Sequence, residues 1–140
     1  MSETAVADAA STLDAGVEAL TAAATGSVAA TVEALRVCES TTRRLDHLHV
    51  ELVGQLMRDG EFAARGYRSP AHALADLLGC DTLTARRRVR VAEDVCPRTT
   101  LDGQPLPPRL PGTAAVFATG QVGLRHVEVI ADALRTPAAR

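Results

Sequence analysis

The sequence contains no lysine and no tryptophan, and only 2% of its residues are aromatic. One Tyr and two Phe in 140 residues are too few rings for the stacking surface that binds single-stranded nucleic acids. Apolar residues still make up 46% of the chain, so Ala, Leu and Val must fill its interior. This composition favours packed helices, and the length gives room for one ordinary domain.

Cysteine is scarce as well, with three residues: Cys38, Cys80 and Cys96. An odd number without the spacing of a zinc knuckle or a redox C-x-x-C motif predicts buried thiols in a reducing cytosol. His47 and His49 would point about 200° apart on a helix, so they cannot hold one metal ion. No phosphate-binding glycine loop, G-x-S-x-G or H-E-x-x-H motif occurs. We therefore expect no cofactor, no metal and no catalytic residue.

Long apolar runs are also missing. The longest uncharged stretches, residues 19–32 and 110–124, are shorter than the ~20 apolar residues of a membrane span. The N-terminus begins with acidic residues instead of the basic segment of a signal peptide. These features predict a cytoplasmic protein without a membrane partner.

Charge is distributed unevenly along the chain, although its net value is only −2. Residues 1–35 contain five carboxylates and no basic residue. Within them, residues 1–27 are rich in Ala, Thr and Ser, which predicts a flexible, acidic, Ala-rich arm, frayed or transiently helical, before a helical domain over residues 28–140. The one notable basic cluster lies in residues 82–100, with five Arg against two acids.

Hydrophobic spacing predicts an all-α fold that starts with one long amphipathic helix. Its apolar residues advance by three or four: Val28, Val32, Leu35, Cys38, Thr42, Leu45, Leu48, Leu52 and Leu56. Asp59-Gly60 predicts its end. The Pro-rich loop, residues 97–112, is expected to contain no strand, and two C-terminal helices should follow at about 113–119 and 122–134.

Between these parts, residues 71–89 have the pattern of a helix-turn-helix pair. Ser69-Pro70 predicts the start of the first helix, Gly79 its end, and Asp81 or Thr82 the cap of a second helix that closes before Pro97. The positions expected to be buried are Leu74, Leu78, Cys80 and Ala85.

Arg86, Arg87 and Arg90 are the candidate DNA-binding residues, because they project from the outer side of the second helix, where a recognition helix meets double-stranded DNA. No acid lies three or four residues from Arg86 or Arg87 within this helix, so like charges repel there. A phosphate backbone would neutralise them, and so would acids from another helix. Arg-rich helix faces are also commonly just solvated. Arg88 departs from the pattern, since it falls near a normally buried aliphatic position.

A second interpretation is a protein-interaction or dimerisation module. The long apolar stripe from residue 28 to 56 could pair with a second copy of the chain or with a missing C-terminal half. The arginines would then contribute only solubility.

Five segments carry a resemblance to a known family: 66–70 (GYRSP), 73–79 (ALADLLG), 84–92 (TARRRVRVA), 101–111 (LDGQPLPPRLP) and 120–130 (GQVGLRHVEVI). Over residues 35–136 the chain resembles the actinobacterial 13E12 repeat family, which carries domain of unknown function 222. The family's N-terminal domain has no assigned activity, and its members typically continue into a C-terminal HNH endonuclease module and multiply as mobile-element-like genes.

The resemblance implies a non-catalytic N-terminal domain that is truncated before the HNH module, and the arginine face of the second helix adds the hypothesis that this domain positions DNA. An HNH nuclease needs a histidine base and a metal held by His, Asn or Asp, and no such residue can be carried over onto this chain. The alternatives are the interaction module and an inert remnant of a disrupted repeat element.

Overall fold

The computed structural model describes residues 2–136, and in this range it confirms the all-α class. Its helices are α1 (Glu3–Ala23), α2 (Val28–Arg58), α3 (Glu61–Ala64), α4 (Pro70–Leu78), α5 (Thr82–Val95), α6 (Pro111–Ala118) and α7 (Leu124–Arg135), and its strands are β1 (Arg98–Thr99) and β2 (Pro105–Leu106). The chain forms two compact units, of which the first ends at Ser40 and the second begins at Thr41. Helix α2 therefore runs through both units.

The first unit consists of α1 and the beginning of α2. None of the α1 residues is buried. The Thr31 hydroxyl donates to the Ala24 carbonyl at 2.8 Å, which ties the start of α2 to the end of α1. Most of the segment that was predicted to be a flexible arm is therefore the helix α1. The compact unit that contains α1 extends beyond residue 27, as far as Ser40. Its flexibility stays a prediction.

Helix α2 has the predicted bounds, but in the second unit a different face is buried from the one that the leucines mark. Val50 and Val53 are 1% and 2% exposed and belong to the core. The helix ends before Gly60, which has a left-handed φ of 68°. The predicted apolar stripe is therefore not the core-facing side of this part of α2.

The pair α4–α5 follows the predicted local signals closely. The Ser69 hydroxyl accepts the His72 N–H, Gly79 ends α4 with φ 63°, and the Asp81 carboxylate caps α5. Of the predicted buried positions, Leu74 and Ala85 are 4% and 0% exposed, but Leu78 is 50% exposed. Because α4 buries only Ala73 and Leu74 against α5, its last turn stays at the surface.

Two short elements were not expected from the sequence. The Pro-rich segment contains an antiparallel hairpin in which Arg98 pairs with Leu106 and Thr99 with Pro105. Strands of two residues are too short to show the alternation of apolar and polar residues that predicts a strand. The turn between them depends on Gly103, which has a left-handed φ of 83°. Helix α3 is a single turn that buries Phe62, and it is likewise too short to show a helical period.

The core of the second unit is centred on α5, which packs against α4, α6 and α7. The fully buried Phe117 of α6 packs against His47 of α2, with ring centroids 5.1 Å apart and the rings nearly perpendicular. Helix α5 approaches α2 closely where a glycine, Gly54, faces the buried Cys96. Helices α6 and α7 lie where the C-terminal helices were predicted, with bounds shifted by one or two residues.

Candidate interaction surfaces

The three candidate DNA-binding residues lie on one side of α5, but their surroundings differ. Arg86 and Arg90 are exposed, and Arg87 is half-buried. Arg87 Nε lies 3.4 Å from Glu128 Oε1, and Arg90 Nη2 lies 3.2 Å from Asp132 Oδ1. Acids of α7 therefore neutralise two of the three guanidinium groups.

A third ion pair joins α5 and α7, but here the acid lies on α5 and the arginine on α7. Asp94 of α5, only 3% exposed, accepts from Arg135 of α7. The α5 partners advance along the chain in the same order as the α7 partners, so the two helices run parallel. We call these three contacts the α5–α7 ladder: Arg87–Glu128, Arg90–Asp132 and Asp94–Arg135.

The rungs of the ladder differ in strength because they differ in exposure. Glu128 has a side chain only 12% exposed and also pairs with Arg125, so it is held on two sides. The Arg90 and Asp132 side chains are each 56% exposed, which places that rung among the surface ion pairs worth about 0–1 kcal/mol. Asp94 is buried, and removing Arg135 would leave a carboxylate without its cationic partner in the interior.

Arg86 is the member of the trio that has no carboxylate partner within residues 2–136. Its neighbour Arg88 is half-buried and lies near His49 of α2, where burial, followed by the charge of Arg88, lowers the histidine pKa while Asp46 raises it. Arg88, which falls near a position where helix-turn-helix proteins normally bury an aliphatic residue, thus lies at the edge of the core.

The acids of the ladder could have been found in the sequence. Glu128 and Asp132 are four residues apart, and four residues separate neighbours on one helix face. Arg87 and Arg90, three apart, form a matching basic edge. What the sequence could not supply is that α5 and α7, separated by the Pro-rich segment and α6, lie side by side.

The second candidate surface is a row of three leucines on α2, which we call the α2 leucine stripe: Leu45, Leu48 and Leu52. They are 44%, 47% and 55% exposed. Spacings of three and four place them in line on one side of the helix, roughly opposite Val50 and Val53. Arg44 and Glu51 each precede a leucine of the stripe by one residue and so lie along the same edge.

The two charges at this edge are only partly engaged within the chain. Arg44 forms no ion pair with a residue in the described range, and its aliphatic stem lies close to Gly120, whose added Cβ would be 3.2 Å from Arg44 Cγ. Glu51 lies 3.7 Å from His47 Nε2 and has a side chain 59% exposed. Both are therefore available at the margin of the stripe.

One histidine and one cysteine form hydrogen bonds that join parts of the second unit. The His126 ring nitrogen Nδ1 accepts the Gly123 N–H at the start of α7. Cys96 is buried and donates to the Val50 carbonyl, and burial raises its thiol pKa although Arg58 pulls the pKa down. Cys38, which the sequence places among the buried thiols, is exposed, and Cys80 is half-buried. Between residues 2 and 136, no three His, Cys, Asp or Glu side chains come together as a metal site.

Across residues 2–136, none of the helices combines the length and the apolarity needed to cross a bilayer. This agrees with the short uncharged stretches in the sequence.

Comparison with known proteins places the chain in one family. The family model described as "Domain of unknown function (DUF222)" matches residues 32–139. An uncharacterized protein of Mycobacterium tuberculosis (strain CDC 1551 / Oshkosh) is 40% identical over 96 residues, which cover 69% of this chain and 21% of that protein. Another, from strain H37Rv, is 35% identical over 109 residues, which cover 78% of this chain and 49% of that protein.

The chain spans only about a fifth to a half of the length of these relatives. No solved structure matches it. The family match covers most of the chain and includes every element from α3 to α7, so the chain belongs to the DUF222 family.

Proposed function

We propose that this domain is a protein-interaction module that pairs with a second copy of itself through the α2 leucine stripe. The observation that carries the proposal is the exposure of Leu45, Leu48 and Leu52, about half of each side chain, on a helix whose opposite side is buried. Single exposed leucines are ordinary, but three in line form a continuous apolar strip. In this proposal the domain supplies contacts and no chemistry.

The spacing and the flanking charges of the stripe favour a second copy as its occupant. When two α2 helices pair antiparallel about a two-fold axis, Leu45 of one copy lies against Leu48 of the other. Arg44 of each copy then lies beside Glu51 of the second copy, so that the interface contains two opposite-charge pairs. The same surface is thus complementary to itself, as a two-fold dimer requires.

The size of the stripe sets the expected affinity. Burying the exposed half of a leucine contributes about 1 kcal/mol, so six leucines over two copies contribute about 6 kcal/mol. This is near the lower end of the cost of association, about 4–15 kcal/mol, and the charge pairs at the rim add little. We therefore expect a weak, reversible dimer that is populated only at high protein concentration.

Sedimentation equilibrium of the full chain tests this proposal. The wild-type protein should show a mass that rises with concentration toward that of a dimer, and Leu45→Asp with Leu52→Asp should remain monomeric. Leu101→Asp is the matched control, because Leu101 is fully exposed and lies outside the stripe. A wild-type protein that stays monomeric throughout the range, or a Leu101→Asp protein that dissociates as well, would reject self-pairing.

Positioning of double-stranded DNA by α5 is the second candidate function. The observation that favours it is Arg86, an exposed guanidinium without a carboxylate partner in the described range, beside two arginines whose ion pairs are partly exposed. Because such pairs contribute little, phosphates can compete for Arg87 and Arg90. The longer members of the resembled family, with their HNH module, provide a setting in which a DNA-positioning domain would act.

Titration of a labelled duplex at several salt concentrations tests this second function. Changing Arg86, Arg87 and Arg90 to Ala should weaken binding and reduce the salt slope by up to about three units. Glu128→Gln with Asp132→Asn should do the opposite and strengthen binding, since it releases Arg87 and Arg90 from α7. Arg65→Ala, which loses only a pair with Glu61, is the control. A duplex affinity unchanged in both variants would exclude α5 as the contact.

A further inference from the structure

Arginines from three separate elements line one cavity of the second unit, at the end of α2 beside the hairpin. The cavity has a volume of about 360 Å³. Arg58 comes from the last turn of α2, Arg98 from β1, and Arg109 from the segment between β2 and α6. One carboxylate, Glu93 of α5, lies among them. None of these residues belongs to the α2 leucine stripe or to the trio on α5.

The hydrogen bonds of these arginines orient them without neutralising them. Arg58 donates to the Pro97 carbonyl at 3.0 Å and to the Gln55 side-chain oxygen at 2.9 Å. Arg98 donates from Nε to the Pro107 carbonyl at 3.0 Å, and its two terminal nitrogens have no acceptor among residues 2–136. All of these acceptors are neutral, so both guanidinium groups keep their full charge.

Arg109 completes the set, because it is exposed and has no hydrogen bond or ion pair with a residue in the described range. The contrast with the α5–α7 ladder is direct. There, acids of α7 pair with the arginines, whereas at this cavity three cations face one carboxylate. The lining therefore carries a formal charge of +2.

We propose that this cavity binds a phosphate monoester of a small organic molecule. A phosphate monoester carries close to two negative charges at neutral pH and presents oxygens that match the two-pronged guanidinium group. The volume lies in the range of small-molecule sites. Met57 and Leu106 supply apolar wall for the organic part of the ligand, and the Glu93 carboxylate is an acceptor for a ligand hydroxyl.

The hairpin explains why arginines that are distant in sequence come together. Pairing of Thr99 with Pro105 brings the chain back on itself, and the Thr100 hydroxyl bonds to Asp102 in the turn. The Arg98 bond to Pro107 then ties the two sides of the hairpin together beyond the paired residues. The Pro-rich segment thus acts as a scaffold that holds Arg98 and Arg109 near the end of α2.

Calorimetric titration of the full chain with phenyl phosphate tests the proposal. We expect saturable binding at one site per chain, weakened by salt. Arg98→Gln and Arg109→Gln should each weaken it about tenfold or more, because each removes charge-assisted hydrogen bonds. Arg86→Gln is the matched control, since Arg86 is another exposed arginine without a carboxylate partner but lies outside the cavity. Arg109 is exposed and makes no hydrogen bond or ion pair with a residue in the described range, so the Arg109→Gln protein should melt at the wild-type temperature.

Two further ligands separate the possible sources of the anion. Benzoate should bind more weakly than phenyl phosphate, because it has one charge fewer, and equal affinity would overturn the assignment to phosphate. A blunt duplex should not compete with phenyl phosphate. Binding that is absent, that survives both cavity variants, that is lost in Arg86→Gln, or that duplex DNA displaces would each overturn the proposal.

Discussion

At the residue scale, the most demanding contact is the one between Gly54 of α2 and Cys96. A Cβ added at Gly54 would lie 2.6 Å from the Cys96 sulfur and 2.9 Å from its Cβ, and both residues are buried. The neighbouring atoms include the Cβ of Cys96, which cannot rotate away. Only glycine therefore permits this approach of α2 to the end of α5.

We predict that Gly54→Ala lowers the free energy of unfolding by about 2 kcal/mol, because overpacking outweighs the ~1 kcal/mol gain in helix propensity. Urea unfolding measures the change. Gly16→Ala is the matched control, since a Cβ at Gly16 of α1 meets nothing within 4 Å, and it should be neutral or stabilising. A Gly54→Ala protein as stable as the wild type would show that the two segments do not pack so closely.

His49 should make stability depend on pH. Its pKa is lowered from 6.5, first by burial and then by the charge of Arg88, so the folded state binds fewer protons than the unfolded state near this pH. The stabilising contribution is therefore complete above pH 6.5 and is lost as the pH falls through the lower, folded-state pKa.

We expect the wild-type unfolding midpoint in urea to fall between about pH 7.5 and pH 5.5, and His49→Gln to reduce this fall. Asp46→Asn should increase it, because Asp46 raises the His49 pKa and its removal leaves burial and Arg88 unopposed. Identical pH profiles in the wild type and His49→Gln would assign the dependence to another group.

At the scale of elements, α5 depends on its first cap. The Asp81 carboxylate accepts the Thr84 N–H at 2.9 Å and the Thr84 hydroxyl at 2.6 Å, and these bonds lower its pKa. The cap satisfies a backbone donor that the helix itself leaves unbonded. The cap also fixes the residue at which α5 begins after Gly79. It thereby helps to set which residues of α5 face α7.

Asp81→Ala is expected to lower the melting temperature by several degrees, whereas Asp81→Asn, which keeps an accepting oxygen, should have little effect. Differential scanning calorimetry distinguishes the two. Because the folded-state pKa of Asp81 is lowered from 3.8, the wild-type advantage should disappear as the pH falls through that lower value. Equal melting temperatures for Asp81→Ala and the wild type at neutral pH would contradict the role of this cap.

The elements also show how far sequence reasoning reaches. The bounds of α4 and α5 were predictable because Ser69, Gly79 and Asp81 act on their own neighbours. The buried side of α2 was not, since leucines mark one side of the helix and the core selects Val50 and Val53 on another. Which side of α2 is buried depends on how α2 packs against α5 and α6. The spacing of apolar residues along α2 carries no information about that packing.

The candidate sites, too, could be predicted from the sequence only in part. The trio on α5 was visible as a basic cluster, but the pairing of Arg87 and Arg90 with acids of α7 depends on α5 and α7 lying parallel. The arginine cavity was not visible at all, because Arg58, Arg98 and Arg109 come together only through a hairpin with strands of two residues. Long-range packing of short elements therefore decides which charges are neutralised.

At the scale of the whole molecule, the chain is a DUF222 family member that spans only a fifth to a half of the relatives described above. Three arrangements of arginine stand out within residues 2–136. Acids of α7 pair with Arg87 and Arg90 of α5. Arg58, Arg98 and Arg109 line a cavity, and Arg44 borders the leucine stripe. We propose above that the cavity binds a small phosphate ester and that the leucine stripe pairs with a second copy.

The most direct test of self-pairing uses charge exchange at the edge of the stripe. Arg44→Glu and Glu51→Arg should each weaken the dimer of the full chain in sedimentation equilibrium, because each places like charges opposite one another. An equimolar mixture of the two variants should associate more strongly than either alone, since each variant then presents to the other the charge that it lacks. A mixture that associates no better than the separate variants would contradict the antiparallel pairing of α2.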